Sequence, residues 1–131
     1  MRRWLVAFSA LTFASGCAHQ TASSSPSSDR TVLTHEELIR SNYATVYEVV
    51  AALRRNWLQV RGVDSFTNSL QVKVYYDNLM LGGVETLRSM QPSAVAYLKY
   101  YDGVAATTRW GTDHGAGVIF VSSRPMATNP N

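Results

Sequence analysis

The ionisable pair best suited to acid–base or metal chemistry is Asp113-His114, within the polar segment 111–115 (GTDHG). A carboxylate and an imidazole are side chains that often transfer protons or hold a metal ion. Adjacent residues rarely aim at one atom, however, and His19 and His35 do not stand at metal-ligand spacing from His114. A polar loop tip explains the pair as well, so we predict no catalytic residue, no metal and no cofactor.

Three glycines, Gly111, Gly115 and Gly117, form a run that invites comparison with a phosphate-binding loop. The run lacks the Lys-Ser/Thr pair of such loops, and it leads into the apolar run 118–121 (VIFV), which is typical of a strand. The helix N-terminus that attracts an anion is therefore missing, and turns are the better interpretation. The full set of predicted turn glycines is Gly62, Gly82, Gly83, Gly103, Gly111, Gly115 and Gly117. The sequence does not identify a Ser-His-Asp triad either, so we predict that the chain is not an enzyme.

Paired aromatic residues, Tyr75-Tyr76 and Tyr100-Tyr101, are a second chemical feature. Consecutive strand residues point to opposite faces, so one ring of each pair faces away from the core. These outer rings either pack beneath helices or form an exposed surface for a protein or glycan, since tyrosine offers a large contact area with a polar tip. The candidate partner or ligand surface comprises Tyr75, Tyr76, Asp77, Tyr100, Tyr101, Trp110, Asp113 and His114.

The only cysteine, Cys17, follows Arg2-Arg3, an apolar run of about ten residues and the small residues 14–16 (ASG). This order is typical of an export signal, and the run is shorter than the ~20 residues that a membrane-spanning helix needs. The segment 14–17 (ASGC) resembles the lipobox of bacterial lipoproteins, and an ordinary secretory signal with an incidental cysteine is the alternative. The resemblance implies cleavage between Gly16 and Cys17, acylation of Cys17 and, because Ala18 and not Asp follows, anchoring in the outer membrane. We expect the domain on the periplasmic face.

The net charge of the chain limits the kind of partner that it can bind. The chain has 12 Lys and Arg against 9 Asp and Glu. Removal of a signal peptide spanning residues 1–16 takes away Arg2 and Arg3, which leaves a nearly neutral protein. Such a balance argues against nucleic acid as a partner. Residues 17–31 are rich in serine and are expected to form a flexible linker behind the acylated cysteine.

The remaining pattern predicts one small α+β domain over residues 32–123, followed by a disordered tail over residues 124–131. Thr34 and Glu37 form a capping box that starts a short helix, and apolar residues at helical spacing predict a second helix between Val46 and Trp57. Alternating or apolar runs predict strands at 58–61, 71–76, 95–101 and 118–121, and short helices are expected at 84–90 and 104–110. We therefore expect a small mixed sheet of about four strands with two to four helices.

A succession of strand ends and glycine turns runs through this domain, at 60–65 (VRGVDS), 74–79 (VYYDNL), 82–83 (GG), 95–103 (VAYLKYYDG), 109–111 (RWG) and 115–121 (GAGVIFV). In order and spacing it resembles the plug domain of TonB-dependent outer-membrane receptors. The resemblance implies a plug-like fold, here expected without the receptor barrel and without transport activity. It also implies a protein-interaction module whose partner is an outer-membrane receptor barrel or an energy-coupling protein. The alternative is a small-ligand or glycan-binding module that uses the tyrosine-rich face and the loop from Gly111 to Gly117.

Overall fold

The computed structural model describes residues 29–60 and 70–127 of the 131-residue chain. Several predictions therefore lie outside the described residues: the signal peptide 1–16, its cleavage site at Gly16, acylation of Cys17, the linker up to residue 28, the Gly62 turn and residues 128–131 of the tail. The elements described below all lie between Val32 and Ser122.

The described part of the chain folds as an α+β domain around one mixed sheet, which confirms the predicted fold class. Its strands are β1 (Val32–Thr34), β2 (Lys73–Tyr76), β3 (Leu79–Gly83), β4 (Tyr97–Tyr101) and β5 (Val118–Ser122). Its α-helices are α1 (His35–Arg40), α2 (Val46–Leu53) and α3 (Gly103–Trp110). Short 3-10 helices span Arg55–Leu58, Val84–Ser89, Pro92–Ala94 and Thr112–His114.

The strand order across the sheet is β1-β4-β5-β2-β3. β2 and β5 run parallel at the centre, and the other three neighbouring pairs are antiparallel. β1 and β3 are therefore the edges of the sheet, and β4, β5 and β2 are paired on both sides. The sheet has five strands in the described residues, one more than the sequence indicated.

Local capping signals explain where α1 and α2 begin. Thr34 accepts a hydrogen bond from the backbone N–H of Glu37, whose carboxylate accepts one from the backbone N–H of Thr34. This confirms the predicted capping box. Thr45 and Glu48 make the same reciprocal pair at the start of α2. Each box satisfies N–H groups that a helix start otherwise leaves without a partner.

One face of the sheet carries the main hydrophobic core. Leu33, Leu98, Val121, Ile119 and Val74 lie on this face and are fully buried. The helices contribute Leu38, Val46, Val49, Val50, Trp57 and Leu87 to the same cluster. Apolar burial of this kind is the dominant favourable contribution to the free energy of folding, so these side chains fix the sheet against α1 and α2.

Two predictions about the second helix and the strand after it were wrong. α2 ends at Leu53, because Arg54 adopts φ −142° and ψ 45°. The chain continues as the 3-10 helix Arg55–Leu58, which buries Trp57 under the sheet, where its ring stacks on Tyr100 at 5.6 Å between centroids. Burial of the indole thus decides the path of the chain here, and Leu58 belongs to this turn and not to a strand at 58–61. Residues 59 and 60 are not in a strand, and residue 61 is not described.

Three of the predicted turn glycines lie inside regular elements. Gly82 and Gly83 belong to β3, because the hairpin that turns at Asp77-Asn78 pairs Lys73 with Gly83. Gly103 is the first residue of α3. A Cβ on Gly103 would collide with the carbonyl oxygen of Gly115, so the absence of a side chain lets the two backbone segments touch.

Candidate functional site

The second face of the sheet carries a group of rings and cations. The register aligns Lys99 of β4 with Phe120 of β5 and Phe120 with Tyr75 of β2, and side chains aligned in this way share one face. Alternation along the strands adds Tyr97, Tyr101, Val118 and Lys73 to the same face. We call the rings and cations of this side the aromatic face: Lys73, Tyr75, Tyr97, Lys99, Tyr101, Phe120 and, from α3, Arg109 and Trp110.

α3 covers one end of the aromatic face. Asp102 caps the helix by accepting a hydrogen bond of 2.8 Å from the backbone N–H of Ala105. Ala106 is fully buried and packs with Tyr75 and Val118 in a second, smaller apolar cluster. Trp110, at the other end of the helix, stacks on Tyr75 at 5.0 Å between ring centroids. The helix therefore holds Trp110 flat against the sheet.

Tyr75 and His114 form a buried polar pair under this helix. The Tyr75 hydroxyl lies 2.8 Å from Nε2 of His114, and Nδ1 of His114 lies 3.1 Å from the carbonyl oxygen of Gly111. A carbonyl only accepts, so Nδ1 carries the proton and donates it to Gly111, while Nε2 accepts the hydroxyl proton of Tyr75. Nε2 of His114 thus ties the loop to the sheet, and Nδ1 braces the loop internally.

Asp113 does not share the environment of His114. Its side chain is exposed, whereas that of His114 is only 6% exposed. The two adjacent residues therefore face different surroundings, as expected for neighbours in a tight 3-10 turn. This arrangement suits a structural histidine in a loop with a polar tip.

The structure does not bring the eight predicted surface residues onto one surface. Tyr75, Tyr101, Trp110 and His114 lie together on the side of α3. Tyr76 and Tyr100 point to the opposite face, where they are half-buried against the main core. Each tyrosine pair is thus split between the two faces of the sheet, as the alternation predicted, and the outer rings pack largely beneath α3.

Asp77 has a structural role at the β2–β3 turn. Its carboxylate accepts hydrogen bonds from the hydroxyl of Ser123 at 2.8 Å and from the backbone N–H of Ser123 at 3.1 Å. These two bonds, side chain first, lower the pKa of Asp77 below its ordinary value of 3.8. The carboxylate thereby ties the hairpin to the end of β5.

The aromatic face also contains residues that the sequence analysis did not select. The guanidinium of Arg109 lies 4.9 Å from the ring centroid of Trp110, 5.4 Å from that of Tyr101 and 5.7 Å from that of Phe120. It also donates to the Tyr101 hydroxyl at 3.3 Å. The ammonium of Lys99 lies 5.2 Å from the Tyr101 centroid. Cations at such distances are attracted by the electron-rich face of a ring.

A second exposed feature is the edge strand β3. Three consecutive apolar side chains there are unusually accessible, with Leu79 64% exposed, Met80 51% and Leu81 37%. Within residues 29–60 and 70–127, β3 pairs only with β2. An apolar edge strand without charged residues is a template for pairing with another chain.

Within residues 29–60 and 70–127, no group of three or more His, Cys, Asp or Glu side chains is placed to hold a metal ion. A surface cleft of about 570 Å³ is lined by Asp102, Gly103, Val104, Thr107, Thr108 and Gly115. Its single ionisable side chain, Asp102, already caps α3.

In the same two stretches, no helix is both long enough and apolar enough to span a bilayer.

Comparison of the chain with protein-family models, with curated proteins and with solved structures gave no match. The resemblance to a plug domain and to lipoprotein signals stays a prediction, and function is inferred from the chain's own residues.

Proposed function

We propose that this protein is a non-enzymatic lipoprotein, anchored through acylated Cys17 at the periplasmic face of the outer membrane, whose α+β domain is a protein-interaction module. The observation that carries the interaction role is the exposed, uncharged edge strand β3. The anchoring role is supported by the order of charged, apolar and small residues that precedes Cys17.

β3 has the properties of a strand-pairing site. Its five residues, LMLGG, include no charge and no proline, the two features with which proteins most often block an open edge. The apolar side chains of Leu79 and Met80 are more than half exposed. A partner segment in extended conformation would gain main-chain hydrogen bonds from the edge and apolar contacts from these side chains.

The opposite edge of the sheet is a poorer candidate. β1 has only three residues, two of which are buried. It leads directly into α1, whose first turn carries Glu36 and Glu37. A short strand that runs at once into an acidic helix start offers little open backbone, so we assign the partner to β3.

The histidine chemistry supports a non-enzymatic role. His114 is the buried histidine of the described residues, and both of its ring nitrogens hold structural hydrogen bonds. His35 is exposed and its Nδ1 lies 2.7 Å from the carbonyl oxygen of Val95, so it too pins a loop. The hydroxyl beside His114 belongs to Tyr75, which is only 8% exposed, so this pair is largely shielded from a substrate.

The partner that we propose is a protein with an extended segment, either an outer-membrane receptor barrel or an energy-coupling protein. The support is the resemblance of the sequence to a plug domain, together with the open edge strand β3. β-Strand addition of this kind needs no preformed pocket, which agrees with the shallow clefts of the domain.

Photo-crosslinking in cells tests this proposal. A photoreactive amino acid replaces Leu79 in one variant and Val104 in the control, since Val104 is 80% exposed on α3 and lies away from the edge. Adducts are identified by mass spectrometry. A receptor barrel or energy-coupling protein attached to position 79 and not to position 104 supports the proposal. The same adducts at both positions, or adducts with lipid and neighbouring lipoproteins only, would overturn it.

A further inference from the structure

We propose that the aromatic face binds an anionic saccharide, meaning a sugar chain that carries carboxylate or phosphate groups. This site is separate from β3 and does not depend on the interaction role proposed above. It combines half-buried rings with three cations, Lys73, Lys99 and Arg109, none of which forms an ion pair within the described residues.

The charge of the aromatic face is uniformly positive. Strand alternation places Lys73 and Lys99 on this side of the sheet, and α3 contributes Arg109. The strand residues that share the face include no Asp or Glu, nor does α3 between its first and last residues. The aromatic face therefore carries two lysines and one arginine, and no acidic residue belongs to it.

Arg109 in particular is available for an anion. Among residues 29–60 and 70–127, the carboxylate-paired arginines are Arg40, Arg54 and Arg88, all on other elements. Arg109 is exposed, and its guanidinium packs on the rings of Tyr101, Trp110 and Phe120. One of its N–H groups donates a hydrogen bond to the Tyr101 hydroxyl. Its planar fork is thus held in place by Tyr101 and Trp110, while other N–H groups remain open to a carboxylate or phosphate, which it binds in a bidentate manner.

Asp29 is an acid that competes for Lys99. Its pKa is lowered first by hydrogen bonds from the side chain and backbone of Thr31 and, to a smaller extent, by the charge of Lys99. Its carboxylate accepts the hydrogen bonds of Thr31 at 2.8 and 3.1 Å and forms no ion pair with Lys99 within 4 Å, although its charge acts on that lysine. Arg109, on α3, is not among the charges that act on Asp29.

The rings supply the apolar part of the site. Tyr97 lies 6.4 Å from Phe120, and Phe120 lies 6.4 Å from Trp110, between ring centroids. These three half-buried rings form a line across β4, β5 and α3. A pyranose has a C–H face that packs on aromatic rings and a rim of hydroxyls, and Tyr97, Tyr101 and the cations offer polar tips for that rim.

A saccharide fits this surface better than a peptide does. β4 and β5 are both paired with strands on either side, so their backbone N–H and C=O groups are already bonded within the sheet. An extended peptide laid across this face would find side-chain groups only and would gain none of the main-chain hydrogen bonds that an open strand edge provides. The hydroxyl and carboxylate groups of a sugar match the side-chain donors that the face does offer.

Calorimetric titration of the full acylated protein in neutral detergent tests the inference. The probe is a hexamer of galacturonate, compared at equal salt with the neutral maltohexaose and with hexaglutamate, which matches its charge. We expect saturable binding of the galacturonate hexamer and at least tenfold weaker binding of the other two. No binding of galacturonate, or equal binding of hexaglutamate, would overturn the proposal, the second result in favour of an acidic peptide.

Matched variants locate the site. Arg109→Gln and Tyr97→Leu are each expected to weaken galacturonate binding about tenfold, since one removes a charge-assisted contact and the other a ring. Arg55→Gln is the charge control, because Arg55 is exposed on the 3-10 helix that packs against the other face. Equal losses in Arg109→Gln and Arg55→Gln would mean general attraction between charges and would overturn the assignment to the aromatic face. Because Arg109 also packs on Tyr101, Trp110 and Phe120, denaturant unfolding of each variant checks that a loss of binding is not a loss of folding.

Discussion

The hydroxyl of Tyr75 on β2 lies 2.8 Å from Nε2 of His114 in the loop after α3, although 39 residues separate them in sequence. Tyr75 is 8% exposed and His114 is 6% exposed. A buried hydrogen bond between distant parts of the chain fixes the position of the loop relative to the sheet. It also orients the ring on which Trp110 stacks, and Trp110 in turn supports Arg109.

Tyr75→Phe is expected to destabilise the domain. The substitution keeps the ring and its stacking on Trp110 but leaves Nε2 of His114 buried without a donor, which costs about 1–3 kcal/mol in the free energy of unfolding. Denaturant unfolding of both proteins measures this cost. Tyr43→Phe is the control, because Tyr43 is 45% exposed. Equal stability of Tyr75→Phe and the parent protein would show that the buried bond contributes nothing.

Gly103→Ala is expected to be among the most damaging glycine substitutions. The added Cβ would overlap the carbonyl of Gly115, so the backbone of α3 or of the loop must move, at a cost of about 1–3 kcal/mol. Thermal unfolding gives the difference. Gly115→Ala is the matched control, since its φ is −59° and the nearest atom to its Cβ is 3.9 Å away on Leu70. If the two variants melt at the same temperature, the contact is not as close as described.

Asp77 should make the domain more stable at neutral than at acid pH. Its folded-state pKa lies below the ordinary 3.8, because the hydroxyl and backbone N–H of Ser123 bond its ionised form. The stabilisation is therefore present above the ordinary pKa and is lost as the pH falls through the lowered one. Unfolding free energies measured from neutral to about pH 2 should show a smaller decline in Asp77→Asn than in the parent protein.

Ser123→Ala provides a second variant for the same interaction. It removes the hydroxyl donor at 2.8 Å while leaving Asp77 in place, and it should reproduce part of the effect. Ser89→Ala, at an exposed serine on the 3-10 helix Val84–Ser89, should leave the pH dependence as it is in the parent. If the unfolding free energy of Asp77→Asn falls in acid as much as that of the parent protein, other carboxylates cause the decline.

The fold class and the local signals could be predicted from the sequence, while the site could be predicted only in part. Thr34 and Glu37 are three residues apart, so their capping box is visible in the sequence. The aromatic face is different, because Phe120 meets Lys99 through the register of two strands and Arg109 meets Phe120 through the packing of a helix on the sheet. Such contacts depend on which strands become neighbours, and no short pattern encodes that choice.

The strands that were missed lack the expected pattern for physical reasons. β3 has three consecutive apolar residues and two glycines, so it shows no alternation, since an exposed edge need not bury one side only. β1 is three residues long, too short for any period. By contrast, the alternation at Leu58 that favoured a strand was overridden by the burial of Trp57 in a 3-10 turn.

Lysine substitutions at the edge strand test its role as a partner site. With the photoreactive amino acid at position 80, Leu79→Lys combined with Leu81→Lys places two charges on an edge that we propose to be covered, and capture of the crosslinked partner should fall about tenfold. The unfolding free energy should fall by about 1 kcal/mol or less, because Leu79 is 64% exposed while Leu81, at 37%, loses part of its apolar contacts. Val104→Lys, at a side chain 80% exposed on α3, is the control and should capture as the parent does. If the Leu79 and Leu81 variant captures as much partner as the parent protein does, the partner binds a surface other than β3.

Cys17→Ser should release the protein from the membrane. The proposed anchor depends on the thiol, which takes a diacylglycerol unit, and on the new N-terminus, and several acyl chains hold a protein on a bilayer where one chain does so only marginally. Fractionation of cells followed by mass spectrometry of the N-terminal peptide measures both location and acylation. Ala18→Ser is the control, since it makes the same kind of change one residue later and leaves the thiol intact. Retention of the Cys17→Ser protein in the membrane fraction after export would show that another part of the chain, and not acylated Cys17, holds it there.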